Sequence, residues 1–166
     1  MARFGLLFAV IVTVLFAGEL TPMGQIYVVE PWTSSIARIA MWLASAFDPH
    51  VGVDGFRLFS TTNGFSVTIL AGCNGLEAMI VLIAAILAYP APWKHRVTGI
   101  VVGVVAIQVL NLVRIVSLFY LGQWSLKVFE WAHLYGWQVL IMLDVLIVWL
   151  LWLRTIPRSP PTTAPA

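Results

Sequence analysis

Cys73, Arg114 and His133 are three residues of types that together perform acyl transfer, spread widely along the chain. Cys73 is the sole cysteine, so no intrachain disulfide can form, and its thiol is either a small apolar filler or a free nucleophile. The thiolate is the reacting form, and a helix N-terminus or a cation beside it lowers its pKa. Arg114 sits inside a long apolar run, where an arginine costs about 2.5 kcal/mol or more and by default marks function. Its guanidinium suits three tasks: polarising a thiol, binding an oxyanion, or binding a substrate carboxylate. An imidazole such as His133 takes a thiol proton and returns it to a leaving amine. Glu77, four residues after Cys73 on one helical face, is a candidate to orient Arg114 or His133, or to pair with Arg114 as a structural ion pair. Asn74 and Asn111 complete the supporting set. Asp144 is read as a polar helix–helix contact or as a partner for Asn111 or Arg114.

These residues need elements to position them, and composition decides which kind. The 166 residues are 61% hydrophobic and 10% charged, against about 25% charged in soluble domains. So little charge cannot cover a water-facing surface, so the expected fold is an all-α integral membrane bundle. About four spans are readable, near 4–22, 68–89, 97–121 and 136–153. The first resembles a signal peptide, but long apolar runs follow it, and an uncleaved helix is the better reading. Residues 1–158 form one membrane domain, and the Pro/Thr-rich tail at 159–166 is predicted to be disordered and cytoplasmic. The basic residues are scattered between apolar runs, which excludes a nucleic-acid interface.

Charge asymmetry predicts the orientation. With both termini inside, the inner segments carry Arg3, Lys94, Arg96, Arg154 and Arg158 and no acid. The outer segments mix Arg38, Arg57 and Lys127 with Glu30, Asp48, Asp54 and Glu130. Between the first two spans, Ile36, Ile39, Ala40, Leu43 and Phe47 predict an amphipathic helix at the outer interface. Asn63-Gly64 predicts a two-residue turn in a small β-hairpin leading to the helix that bears Cys73. In this layout Cys73 lies in the first turns of the second span. Arg114 lies roughly 10 Å below the outer end of the third. His133 occupies the short outer loop before the fourth.

The stretch Leu70-Ala71-Gly72-Cys73-Asn74-Gly75-Leu76-Glu77 resembles the cysteine motif of the exosortase/archaeosortase family. Asn111-Leu112-Val113-Arg114-Ile115 resembles its arginine helix, and His133 before Tyr135-Gly136 and a last apolar helix matches its third position. The resemblance covers about residues 50–153, with the motifs in family order, and the chain's compactness is similar to the exosortase H subtype. It implies a cysteine transpeptidase of the bacterial inner membrane, its site facing the periplasm. The implied substrates are exported proteins ending in a short motif, a transmembrane helix and a basic tail. The acyl-enzyme would pass to a surface acceptor.

No His/Cys/Asp/Glu group has metal-ligand spacing, and no cofactor is expected. The competing reading is a small transporter or assembly subunit, with Glu77, Arg114 and Asp144 as a polar track. That track needs polar residues in both leaflets, and Asp144 alone falls in the inner one.

Overall fold

The computed structural model describes residues 2–156; the 159–166 tail and Arg158 lie outside the described residues. Helix α1 (Ala2–Leu20) is apolar all round and almost wholly exposed, as a lipid-facing helix must be. Thr21 ends it and caps the single turn α2 (Pro22–Gly24), its hydroxyl accepting the Gly24 N–H at 3.0 Å. A wide π-type turn, Gln25–Val29, then runs into α3 (Glu30–Ser45).

Helix α3 is amphipathic, as the spacing predicts. Of the predicted stripe Ile36 and Ala40 are buried and Ile39 and Phe47 exposed, and Thr33, Ala37 and Ala44 complete the buried face. Alanines let this helix approach closely, and it packs on the long helix α5 (Trp93–Trp124) and on the sheet.

That sheet has three antiparallel strands, β1 (Val51–Asp54), β2 (Arg57–Ser60) and β3 (Ser66–Thr68), in the order β1-β2-β3. The predicted two-stranded hairpin therefore has one strand too few. Its tight turn is Gly55-Phe56, inside the Asp54↔Arg57 pair, with Gly55 at φ 56°. Asn63-Gly64 belongs instead to the longer 61–65 connection, where Asn63 Oδ1 accepts the Phe65 N–H at 2.9 Å.

Three stretches are long and apolar enough to cross a membrane: Ala2–Leu20, Trp93–Trp124 and Leu126–Thr155. The last is α6 (Leu126–Trp131), a π-type turn (Ala132–Gly136) and α7 (Trp137–Thr155) in one path. The predicted span at 68–89 is helical only as α4 (Leu76–Ala88), 13 residues, or about 20 Å against a hydrocarbon core of about 30 Å. Gly72 and Gly75, at φ 84° and 76°, keep its first part out of the helix.

Helix α4 is nonetheless the centre of the bundle, packed by α1, α5 and α7. Two apolar clusters result. One joins α3, the sheet and α5 around Leu58, Ile69 and Phe119; the other joins α4, α5 and α7 around Leu82, Ile86 and Trp152. Arg3 and Arg96 line one shallow cavity, and His95 bonds the Thr155 carbonyl at 2.8 Å. These basic ends lie at the end of α5 opposite the sheet.

An alanine at either positive-φ glycine is strained by about 1–2 kcal/mol. At Gly75 its Cβ would also meet Gln108 Nε2 at 2.6 Å, whereas Gly72 has nothing within 4 Å. Gly75→Ala is expected to lower the thermal unfolding midpoint in detergent by several degrees more than Gly72→Ala.

Candidate active site

Cys73 lies in the irregular turn before α4, not in the helix as predicted. Its N–H donates to the Leu70 carbonyl at 2.9 Å, closing one tight turn, and the glycines on either side of Cys73-Asn74 supply the left-handed backbone it needs. Asn74 locks this turn and is fully buried. Its Nδ2 donates to Thr33 Oγ1 at 3.0 Å, and its Oδ1 accepts the Leu76 N–H, also at 3.0 Å. Its carbonyl accepts from Trp32 Nε1 at 3.2 Å and from Gln108 Nε2 at 3.3 Å. One residue thus ties the cysteine turn to α3, α4 and α5.

Asn111, the other predicted supporting amide, is buried and donates to Gln108 Oε1 at 3.4 Å. It supports the turn by packing against Gly75. Thr33, Trp32 and Gln108 were not singled out by the sequence reading. Gln108 was findable, as an amide in an apolar run one turn before Asn111. Thr33 and Trp32 gave no such signal.

Arg114 projects from α5 to the thiol, its Nη2 3.8 Å from Cys73 Sγ. It is 2% exposed, and its Nε has no partner among the described residues. The Glu77–Arg114 ion pair, one of the two readings of Glu77, does not form. Glu77 instead accepts the Gly72 N–H, bracing the turn. With Cys73 outside the helix, the same-face pairing that suggested an orienting role for Glu77 is lost. Asp144 is buried on α7 and, among the described residues, bonds neither Asn111 nor Arg114.

His133 sits in the π-type turn between α6 and α7 rather than in a loop. Its ring stacks on Phe129, with centroids 5.6 Å apart and planes within 3°. Its Nδ1 is buried without a partner among the described residues, so stacking, rather than a carboxylate or amide, fixes the ring. Cys73, Arg114 and His133 all line one cavity of about 280 Å³. Its floor is Ile115 and Leu118 of α5, with β3 and the chain to Leu70 on one side and Leu126 and Phe129 of α6 on the other.

The family model described as transmembrane exosortase (Exosortase_EpsH) matches residues 2–151. The chain belongs to the transmembrane exosortase family. The match takes in α1 and α3 as well as the motif region, and all three cavity residues fall within it. No curated protein and no solved structure matches the chain. With its apolar helices, this exosortase is a membrane protein.

Electrostatically the exosortase cavity departs from expectation. Burial pushes the Cys73 thiol above its ordinary pKa; the Arg114 cation pulls it down, the Glu77 carboxylate pushes it up, and burial wins. Cys73 therefore rests as a neutral thiol. Alkylation by iodoacetamide, unambiguous in a one-cysteine chain, is expected to show a pH midpoint above the usual thiol value of about 8.5. Arg114→Gln is expected to move that midpoint up, and Glu77→Gln to move it down.

Proposed function

We propose that this chain is a membrane-embedded cysteine transpeptidase. It cleaves the C-terminal sorting signal of exported proteins and passes them to a surface acceptor. The observation that carries the reading is the Arg114 guanidinium 3.8 Å from the Cys73 sulfur, in a cavity that His133 also lines.

In this reading His133 takes the thiol proton and the sulfur attacks the carbonyl carbon of the scissile bond. Arg114 stabilises the oxyanion of the tetrahedral intermediate, where charge develops in a water-poor site. The C–N bond then breaks, the leaving amine takes the proton from the imidazolium, and a thioester remains on Cys73. An acceptor nucleophile, or water, displaces the thiol and restores the enzyme. The resting neutral thiol suits this sequence, because attack and proton removal are coupled.

Family membership supports the substrate class: a protein held by a C-terminal motif, transmembrane helix and basic tail. The basic ends gathered opposite Cys73 support an orientation with both termini in the cytoplasm and the cavity facing the periplasm of a bacterial inner membrane. Three long helices with α4 at their centre suit a substrate helix arriving from lipid. The short α4 leaves the cysteine turn above it, at the level of a juxtamembrane bond.

Processing of an exported reporter bearing such a signal, followed by immunoblot in cells, tests the reading. Cys73→Ala is expected to leave only precursor. Arg114→Lys loses the planar fork and is expected to slow processing about 100- to 1,000-fold. His133→Ala is expected to slow it about 100- to 10,000-fold. Normal maturation by Cys73→Ala would remove the nucleophile from the account.

A further inference from the structure

Strand β3 is an edge strand. It pairs with β2 on one side only, and nothing in the sheet order β1-β2-β3 covers its other side. The pairing fixes which backbone groups are spent. Ser60 N–H donates to the Phe65 carbonyl at 2.9 Å, and Ile69 N–H donates to the Phe56 carbonyl at 2.8 Å. In an antiparallel pair such bonds fall on alternate residues, so positions 65, 67 and 69 face β2. The N–H and C=O groups of Ser66 and Thr68 point away from it.

That outward side opens on the cavity of Cys73. Phe65, Ser66, Val67 and Thr68 all line it, although successive side chains of a strand point to opposite faces. A cavity lying on one face of the sheet would meet alternate residues only. Contact with four in a row means that the cavity meets the strand edge-on. The far wall, Leu126 and Phe129, is apolar, so the polar groups at this end of the cavity come from β3, from its outward backbone and from the Ser66 and Thr68 hydroxyls.

We infer that the free edge of β3 aligns the substrate: an extended peptide segment adds as a fourth strand, and this delivers its scissile carbonyl to Cys73. The inference rests on Cys73 being the nucleophile. It follows the physics of strand addition, in which main-chain hydrogen bonds hold the segment and alternate side chains fall into flanking pockets. Here the pocket side is the apolar floor of Ile115 and Leu118. Edges of this kind are normally blunted or covered, and this one is short and ends five residues before the thiol. The recognised feature is a stretch of peptide able to lie extended, with a small or apolar side chain facing α5.

Peptide electrophiles test this on the full-length protein in detergent. Acetyl-Ala-Ala-Ala chloromethyl ketone alkylates a thiol as the sulfur displaces chloride from the methylene carbon, the thiol proton passing to a base. Two analogues each carry one N-methylated amide, on neighbouring residues. One methyl group is expected to slow alkylation of Cys73 about tenfold by blocking a bond to the edge, and its neighbour to change it less than twofold. Thr68→Pro, which removes an outward N–H and no bond to β2, is expected to slow the peptide reagent about tenfold while leaving iodoacetamide unaffected. Equal behaviour of the two methylated analogues, or an unchanged peptide rate in Thr68→Pro, would overturn strand addition. If neither the peptide reagent nor iodoacetamide modifies Cys73, the nucleophile itself is wrong, and the inference falls with it.

Discussion

A buried guanidinium with no carboxylate bonded to it among the described residues governs this molecule. Arg114 is 2% exposed and touches the Cys73 sulfur, and its Nε has no partner among the described residues. A charge held this way costs several kcal/mol relative to water, so the surrounding packing must hold it in place. The two apolar clusters do so from either side along α5. The charge is best compensated when something anionic arrives beside it. A thiolate and a tetrahedral oxyanion are both anionic, and both would arise at Cys73 in the proposed acyl transfer. Under that proposal the site is poorly matched to its resting state and well matched to a reacting one, which is the condition for catalysis by differential binding.

Holding the thiol at that distance is the task of Asn74. Its amide and carbonyl together bond four partners from α3, α4 and α5. Glu77 braces the neighbouring Gly72 from below. The cysteine turn is thus fixed by buried polar bonds rather than by helix geometry. Such a network is strong only when it is complete, which makes the asparagine as structurally demanding as the cysteine is chemically. The imidazole is held differently. Phe129 stacks on the His133 ring, and Nδ1 is buried without a partner among the described residues. The stacking fixes the plane of the ring.

Much of this was legible in the sequence, and the failures have physical causes. Apolar runs revealed the long helices, because a span is dictated by solvent and length alone. Cys73, Arg114 and His133 stood out as reactive types in segments that meet at one end of the bundle. The cysteine's helix was misread because the largely apolar residues 67–71 continue the run of α4. Only the positive-φ glycines at 72 and 75 separate strand from helix. The hairpin was misplaced because Asn63-Gly64 is the stronger turn signal, yet Gly55-Phe56 makes the tight turn. The alternative pairing of Glu77 with Arg114 is absent because the Glu77 carboxylate is taken by the Gly72 N–H. The apolar stripe at Ile36, Ile39 and Ala40 was legible but not which of its residues meet protein, since an apolar residue beside lipid gains nothing from being buried.

The central claim is a covalent bond through one sulfur atom, and it is tested most directly by trapping the acyl-enzyme. Membranes making this protein together with an exported protein that carries a C-terminal anchor would be denatured rapidly in acid and resolved without thiol reductant. The account expects an adduct of the two proteins, linked at the peptide containing Cys73, released by neutral hydroxylamine, and absent in Cys73→Ala. An adduct that persists in Cys73→Ala, or normal processing with no hydroxylamine-sensitive species on Cys73, would contradict it.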